Sequence, residues 1–221
     1  DESLELQQCG SVTIASSDSS LKGLEALEEA ATRFGIPNER ISRERVKELL
    51  PWIESDAVDV ALYMPTDAFI DSALLCSGYA RAAAKLGVEL KPNCKVKEII
   101  VEQDEIRGVS LVNGERLNAP IVVNAAGSWA NLLMRPLKIG LPFTPVRSHF
   151  WITDIDNKRF PAGHPFTVIP DARAFTRSDV GALIIGLRES QCQAFDPSTM
   201  TDKLEDFDFN KAAKWTVLDE C

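Results

Sequence analysis

Histidine is nearly absent from this sequence, occurring only as His149 and His164. The five cysteines (Cys9, Cys76, Cys94, Cys192 and Cys221) are scattered and form no CxxC pair. Neither residue type stands at metal-ligand spacing, so a zinc-type centre is not expected. An odd, scattered set of thiols also argues against a disulfide framework and for a reducing compartment, the cytoplasm or the mitochondrial matrix. No apolar run approaches the roughly 20 residues that cross a bilayer, and the acidic start DESLELQQ lacks the basic flank of a signal peptide. Basic clusters are missing too. With a net charge of −9, the chain offers no concentrated positive field for nucleic-acid phosphates. Internal repeats and low-complexity linkers are also absent.

What remains is an ordinary globular composition, 45% hydrophobic and 26% charged over 221 residues, enough for one substantial core or two small ones. GSVTIAS alternates like a strand, and Asp18 to Ser20 offer oxygens to cap the helix that follows. In that helix Leu21, Leu24, Leu27, Ala31 and Phe34 form one apolar face, ending near Gly35. A second, short helix follows Ser42 and stops at Pro51. Asp71 caps a third, whose Leu74, Leu75, Tyr79, Ala82 and Leu86 are expected to face inward before Gly87 ends it. VELKPNCKVKEI through ERLNAP reads as an antiparallel meander with a two-residue turn at Asn113-Gly114, then a buried strand at Ile121 to Val123 and a helix from about Ser128 to Met134. Beyond Pro142 the character changes. HFWITDI, HPFTVIP, ARAFTRS and GALIIGLRE are β-branched or aromatic runs that predict an antiparallel sheet, and the segment from Lys203 to Cys221 predicts an acidic stretch and then a helix.

The informative element is IVVNAAGSWANLL, a strand that bends through Asn124, Ala125, Ala126 and Gly127 into a helix. Small residues there let another molecule approach the backbone, and free N–H groups at the helix start favour an anion such as pyrophosphate. Five segments in order, GSVTIAS, the helix through AFIDSALLCSGYA, the meander ending in VVNAAGSWA, LPFTPVRSHFWIT and ARAFTRSDVGALIIGLRE, resemble the flavin-dependent amine oxidoreductases of the D-amino-acid oxidase superfamily. The last hairpin is most similar to those of sarcosine and dimethylglycine dehydrogenases and oxidases.

The resemblance implies FAD as cofactor and an α/β and α+β fold, part of a Rossmann-like FAD domain plus an antiparallel-sheet substrate domain. It divides the chain into residues 1–87 (substrate-domain helices and strands with FAD-domain edges), 88–135 (FAD-domain meander and strand-turn-helix) and 136–221 (substrate-domain sheet and terminal helix). On the cofactor side it implies Val96 near the adenine, the backbone of Ala125, Ala126 and Gly127 near the pyrophosphate, and Trp129 behind the bend. Ser72 stands where the family usually has proline. The family's GxGxxG phosphate loop is missing from this sequence. The chain thus resembles an internal piece of such an enzyme, inactive by itself.

The implied reaction is oxidation of a small amine or amino acid by hydride transfer to flavin. Such a substrate needs a cation for its carboxylate and an apolar cage for the reacting carbon. Candidates are Tyr63, Arg147, His149, Arg177, Ile184 and Arg188. Strand alternation sets Ile184, Gly186 and Arg188 on one face and pairs Arg147 with His149. In the sarcosine oxidases a lysine matches Ile184, where its charge stabilises superoxide forming beside reduced flavin. The apolar residue here implies slow oxygen chemistry and a protein electron acceptor. A 2-hydroxy-acid or glycerol-phosphate oxidoreductase of the same fold, and a non-catalytic binding or assembly module, remain as alternatives.

Overall fold

The computed structural model describes residues 6–54, 58–199 and 215–220. They fall into two compact units, the first formed by the described residues of 1–82, 148–191 and 213–221, the second by those of 83–147 and 192–212.

The first unit is built on a seven-stranded sheet. Its strands are β1 (Ser11–Ala15), β2 (Glu39–Ile41), β3 (Val60–Met64), β7 (His149–Ile152), β8 (Phe166–Ile169), β9 (Ala174–Asp179) and β10 (Ala182–Leu187). Their order is β2-β3-β1-β8-β9-β10-β7. The expected strands after Pro142 do share one sheet, β8, β9, β10 and β7 pairing as antiparallel neighbours. One pair departs from that pattern: β1 and β8 run parallel, Val12 beside Thr167, which joins the N-terminal strands to the later ones.

Helices α1 (Asp18–Arg33) and α2 (Arg43–Leu49) cover opposite sides of the antiparallel β1–β3 pair. Leu24 of α1 is buried with Ala15 and Leu62. Val46 of α2 and the adjoining Leu50 are buried with Val12, Ile14, Val58 and Ala61. Strand alternation explains the division, because Val12 and Ile14 point away from the face that Ala15 shares with Leu62. Each such leucine or valine contributes about 1.5–3 kcal/mol by leaving water.

The start of α1 is held from outside the helix. Ser17, one residue before the expected cap, accepts from Ser20 N–H, and Ser20 reciprocates. Asp171, in the β8–β9 turn, then accepts from Ser16 N–H at 2.8 Å and from the hydroxyls of Ser17 and Ser20 at 2.5 and 2.6 Å. The two hydroxyls, and less so the Ser16 N–H, hold the Asp171 carboxyl below the usual carboxylate range. A depressed folded-state pKa stabilises the fold at pH values above the unfolded value, and that contribution disappears as pH falls through the folded one. Asp171→Ala is expected to destabilise the chain at neutral pH by about 1 kcal/mol, a modest effect because the carboxylate is exposed and solvent screens its hydrogen bonds. In urea titrations the gap to the native protein should close as pH drops below about 4. A gap that does not vary with pH would count against the carboxylate.

Helix α3 (Ser72–Lys85) starts as expected, Asp71 accepting from the N–H groups of Ala73 and Leu74. Its apolar face, however, is uncovered: none of its residues is buried, and Tyr79 is 71% exposed. The inward orientation expected from its periodicity has no partner surface among the described residues.

The second unit holds a three-stranded antiparallel meander of β4 (Val96–Glu102), β5 (Glu105–Leu111) and β6 (Arg116–Asn118). The Asn113-Gly114 turn is a three-residue loop, closed by Leu111 N–H donating to Glu115 O at 2.8 Å, with Gly114 at φ +91°. A tight two-residue turn stands at Gln103-Asp104, both at positive φ, where no glycine announced it. Gly108 is required by packing: a Cβ there would collide with the backbone of Leu117 on β6.

Residues 121–123 differ most from expectation. They join no strand, and Ile121 and Val123 are 77% and 85% exposed. An apolar strand is buried only when a sheet lies beside it, and none does among the described residues. Residues 203–214 of the expected terminal segment lie outside the described residues. Trp215–Glu220 form a 3-10 turn whose Val217 is buried against Ala174 and Leu187. No helix among the described residues is long and apolar enough to cross a membrane.

Candidate functional site

The register of β9, β10 and β7 sets side chains in rows across the sheet, since directly paired residues share a face. One row is Arg177, Ile184 and Ile152; the next is Phe175, Gly186 and Phe150. These six positions form one face. It is apolar and half open to solvent: Phe175, Ile152 and Phe150 are 41%, 55% and 63% exposed, while Ile184 at the centre is 7% exposed. Its cation is Arg177, whose guanidinium stands 5.1 Å from the ring centroid of Phe69. Such stacking fixes a guanidinium without using its N–H donors, leaving them for an anion.

The structure brings Arg177 and Ile184 together and sets His149 apart. His149 pairs with Leu187, so it lies on the opposite face, where it stacks on Trp151 with ring centroids 5.6 Å apart. Its Nδ1 is 2.5 Å from Oε1 of Glu189, and the Glu189 side chain is 1% exposed. Arg188 follows the end of β10, exposed, with its N–H donating to Arg173 O at 2.9 Å. Tyr63, on β3, is half-buried against the core of Val12 and Val46. Arg147 belongs to the second unit, where its N–H donates to Gln193 O at 2.9 Å.

Phe69, Phe175 and Glu189 were not among the residues singled out in the sequence. Alternation along ARAFTRS carries the signal for Phe175, two residues before Arg177. Nothing local pointed to Phe69, which bridges to Gln7 and lies under the guanidinium of the distant Arg177. The buried His164 is likewise set by its surroundings. Burial pushes its imidazole down from the ordinary histidine value, opposed by the Pro165 carbonyl at 3.0 Å from Nδ1.

In the second unit the bend at Ala125, Ala126 and Gly127 is organised by Asn124. Its Oδ1 accepts from Ala126 N–H at 3.2 Å, and its Nδ2 donates to Ala130 O at 3.0 Å. The following helix, α4 (Ala130–Met134), has five residues and is preceded by a 3-10 turn at Gly127–Trp129. The α-helix is thus short, and one of the N–H groups at its approach is already engaged. What the bend does offer is room. Gly127 has φ +51° and open space where a Cβ would lie, and Ile121, Val123 and the 45% exposed Trp129 leave apolar surface uncovered nearby in sequence. Val96 is half-buried on β4, opposite Leu111.

Comparison with known proteins bears directly on this arrangement. The family described as FAD dependent oxidoreductase (DAO) matches residues 1–215. The mitochondrial sarcosine dehydrogenase of Mus musculus is 29% identical over 187 residues, which is 81% of this chain and 20% of that protein. The mitochondrial pyruvate dehydrogenase phosphatase regulatory subunit of Mus musculus is 28% identical over 181 residues, 80% of this chain and 20% of that protein. The chain thus spans about a fifth of the length of these two relatives. Among solved structures, L-proline dehydrogenase from P. horikoshii aligns at a TM-score of 0.75 and 26% identity, covering 91% of this chain and 53% of that one.

Proposed function

Because the chain belongs to the FAD dependent oxidoreductase (DAO) family, we propose that the protein carrying it oxidises a small amine or N-methylated amino acid at a CH–NH bond, by hydride transfer to flavin. FAD, when bound, supplies the hydride acceptor. On this reading residues 1–87 and 136–221 serve mainly the substrate side and 88–135 the flavin side, and the chain by itself is inactive. Val96, the Ala125-Ala126-Gly127 backbone and Trp129 would hold the cofactor, a role supported by the open Cβ position at Gly127 and the missing side-chain bulk at the two alanines.

One observation carries the substrate side: a guanidinium clamped on an aromatic ring, Arg177 on Phe69, beside the apolar row of Ile184 and Ile152. Arg177 would take the carboxylate. Ile184, Phe175 and Phe150 would shield the reacting carbon from water, which strengthens the ionic contact and fixes the substrate's orientation. Electrons then pass to a protein acceptor in the mitochondrial matrix, a reading supported by the apolar residue at Ile184 and by the mitochondrial relatives.

A second reading has its own support. The chain is almost as similar to a phosphatase regulatory subunit as to sarcosine dehydrogenase, so the fold also suits a non-catalytic regulatory or assembly module. Anaerobic addition of sarcosine, dimethylglycine, D-alanine or 2-hydroxyglutarate to the intact flavoprotein separates these readings. Bleaching of the flavin absorbance by one of the three amines is expected. Reduction by 2-hydroxyglutarate alone would make the protein a hydroxy-acid enzyme, and no reduction by any of them would favour the regulatory module.

A further inference from the structure

On the sheet face that bears Arg177, the middle position of the second row has no side chain. Gly186 lies between Phe175 on β9 and Phe150 on β7, and the ring of Phe175 occupies the space a Cβ would take, three of its carbons falling within 3 Å of that point. The ring therefore lies down on the strand instead of standing up from it. Its outer face stays open, leaving Phe175 41% exposed. Arg177 is two residues further along the same strand, and hence on the same face, about 7 Å away. That distance suits one molecule bearing a carboxylate at one end and an apolar substituent at the other.

We propose that Phe175, seated on Gly186, is the specificity-determining residue of the substrate site and limits the bulk of the group carried by the substrate's α-carbon or nitrogen. The proposal rests on the reading of this face as an amino-acid site. With the carboxylate on Arg177, the substituent meets the flat ring of Phe175. A compact group fits above it; a bulky one does not. Removing the ring exposes the bare strand at Gly186 and deepens the site by the thickness of an aromatic ring. A methyl group on Gly186 acts in the opposite sense, because it forces the ring off the strand and into the space above.

The test measures dissociation constants, not turnover. Acetate, isobutyrate and cyclohexanecarboxylate, which cannot be oxidised at an amine, are titrated into the intact flavoprotein by calorimetry. The native protein is expected to favour the small acids over cyclohexanecarboxylate. Phe175→Ala should shift the ratio of bulky to small affinity upward by about tenfold or more, the scale of one apolar-pocket contact. Gly186→Ala should shift it downward. Phe175→Leu, which keeps most of the apolar volume, serves if the alanine variant does not fold, and should move the ratio in the same direction as Phe175→Ala by a smaller factor. Carboxylates that bind with a ratio unmoved by any of these substitutions would overturn the role of Phe175 and leave the amino-acid site standing. A native protein that binds none of the three acids would overturn both.

Discussion

Replacing Ile184 with lysine is expected to raise the rate at which the reduced holoenzyme forms peroxide in air by about two orders of magnitude, the scale on which one preorganised positive group in a water-poor site acts. In the native protein that rate should be low. Ile184 is 7% exposed, between Ile152 on β7 and Arg177 on β9. An uncharged side chain there gives no stabilisation to an anion forming from oxygen. Arg188 shares the alternation of Ile184 along the sequence, which would let it replace the missing charge. In the structure Arg188 lies past the end of β10 and is exposed, whereas Arg177 is directly paired with Ile184. Arg177 is therefore the cation to examine. Ile184→Met serves as control, because it preserves volume without adding charge and should stay slow with oxygen. Stopped-flow mixing of the reduced enzyme with air, followed by peroxide determination, reads all three. Rapid, near-stoichiometric peroxide from the native enzyme that vanishes in Arg177→Gln would mean that the arginine already supplies the charge, and the assignment of a protein acceptor would then be wrong.

The second large effect concerns the carboxylate. Arg177→Leu should raise KM for an amino-acid substrate by about 10- to 100-fold, since hydrogen bonds to a charged partner are worth about 1.5–3 kcal/mol. The turnover number should fall much less, as expected when a group binds ground state and transition state alike. Arg177→Lys should recover only part of the loss, because a point charge cannot reproduce the planar two-donor contact. Phe69→Ala should cause a smaller rise, because it releases a guanidinium now held 5.1 Å from the ring. The decisive comparison uses the matching amine without a carboxylate. If Arg177→Leu weakens that amine as much as the amino acid, the arginine is structural and the anchor lies elsewhere.

Much of the fold was legible because its signals are local. Ser42 and Asp71 cap the helices they were expected to cap, and the β-rich runs after Pro142 became β7 to β10, because side-chain oxygens and alternating apolar residues act over a few positions. The family could be read from five ordered segments even though none sufficed alone. Position in space was not legible. That β1 would lie parallel beside β8, that Asp171 would close the start of α1, and that Phe69 would support Arg177 all depend on pairings between distant parts of the chain. Register decided the candidate site: Ile184 and Arg177 share a face while His149 turns to the other, a division that follows from hydrogen-bond pairing between strands and not from the residues of any one strand. The apolar patterns of α3 and of Ile121 to Val123 mark the same limit. Periodicity says which side of a segment avoids water, but only a packed neighbour determines whether that side is buried, and among the described residues Tyr79, Ile121 and Val123 have none.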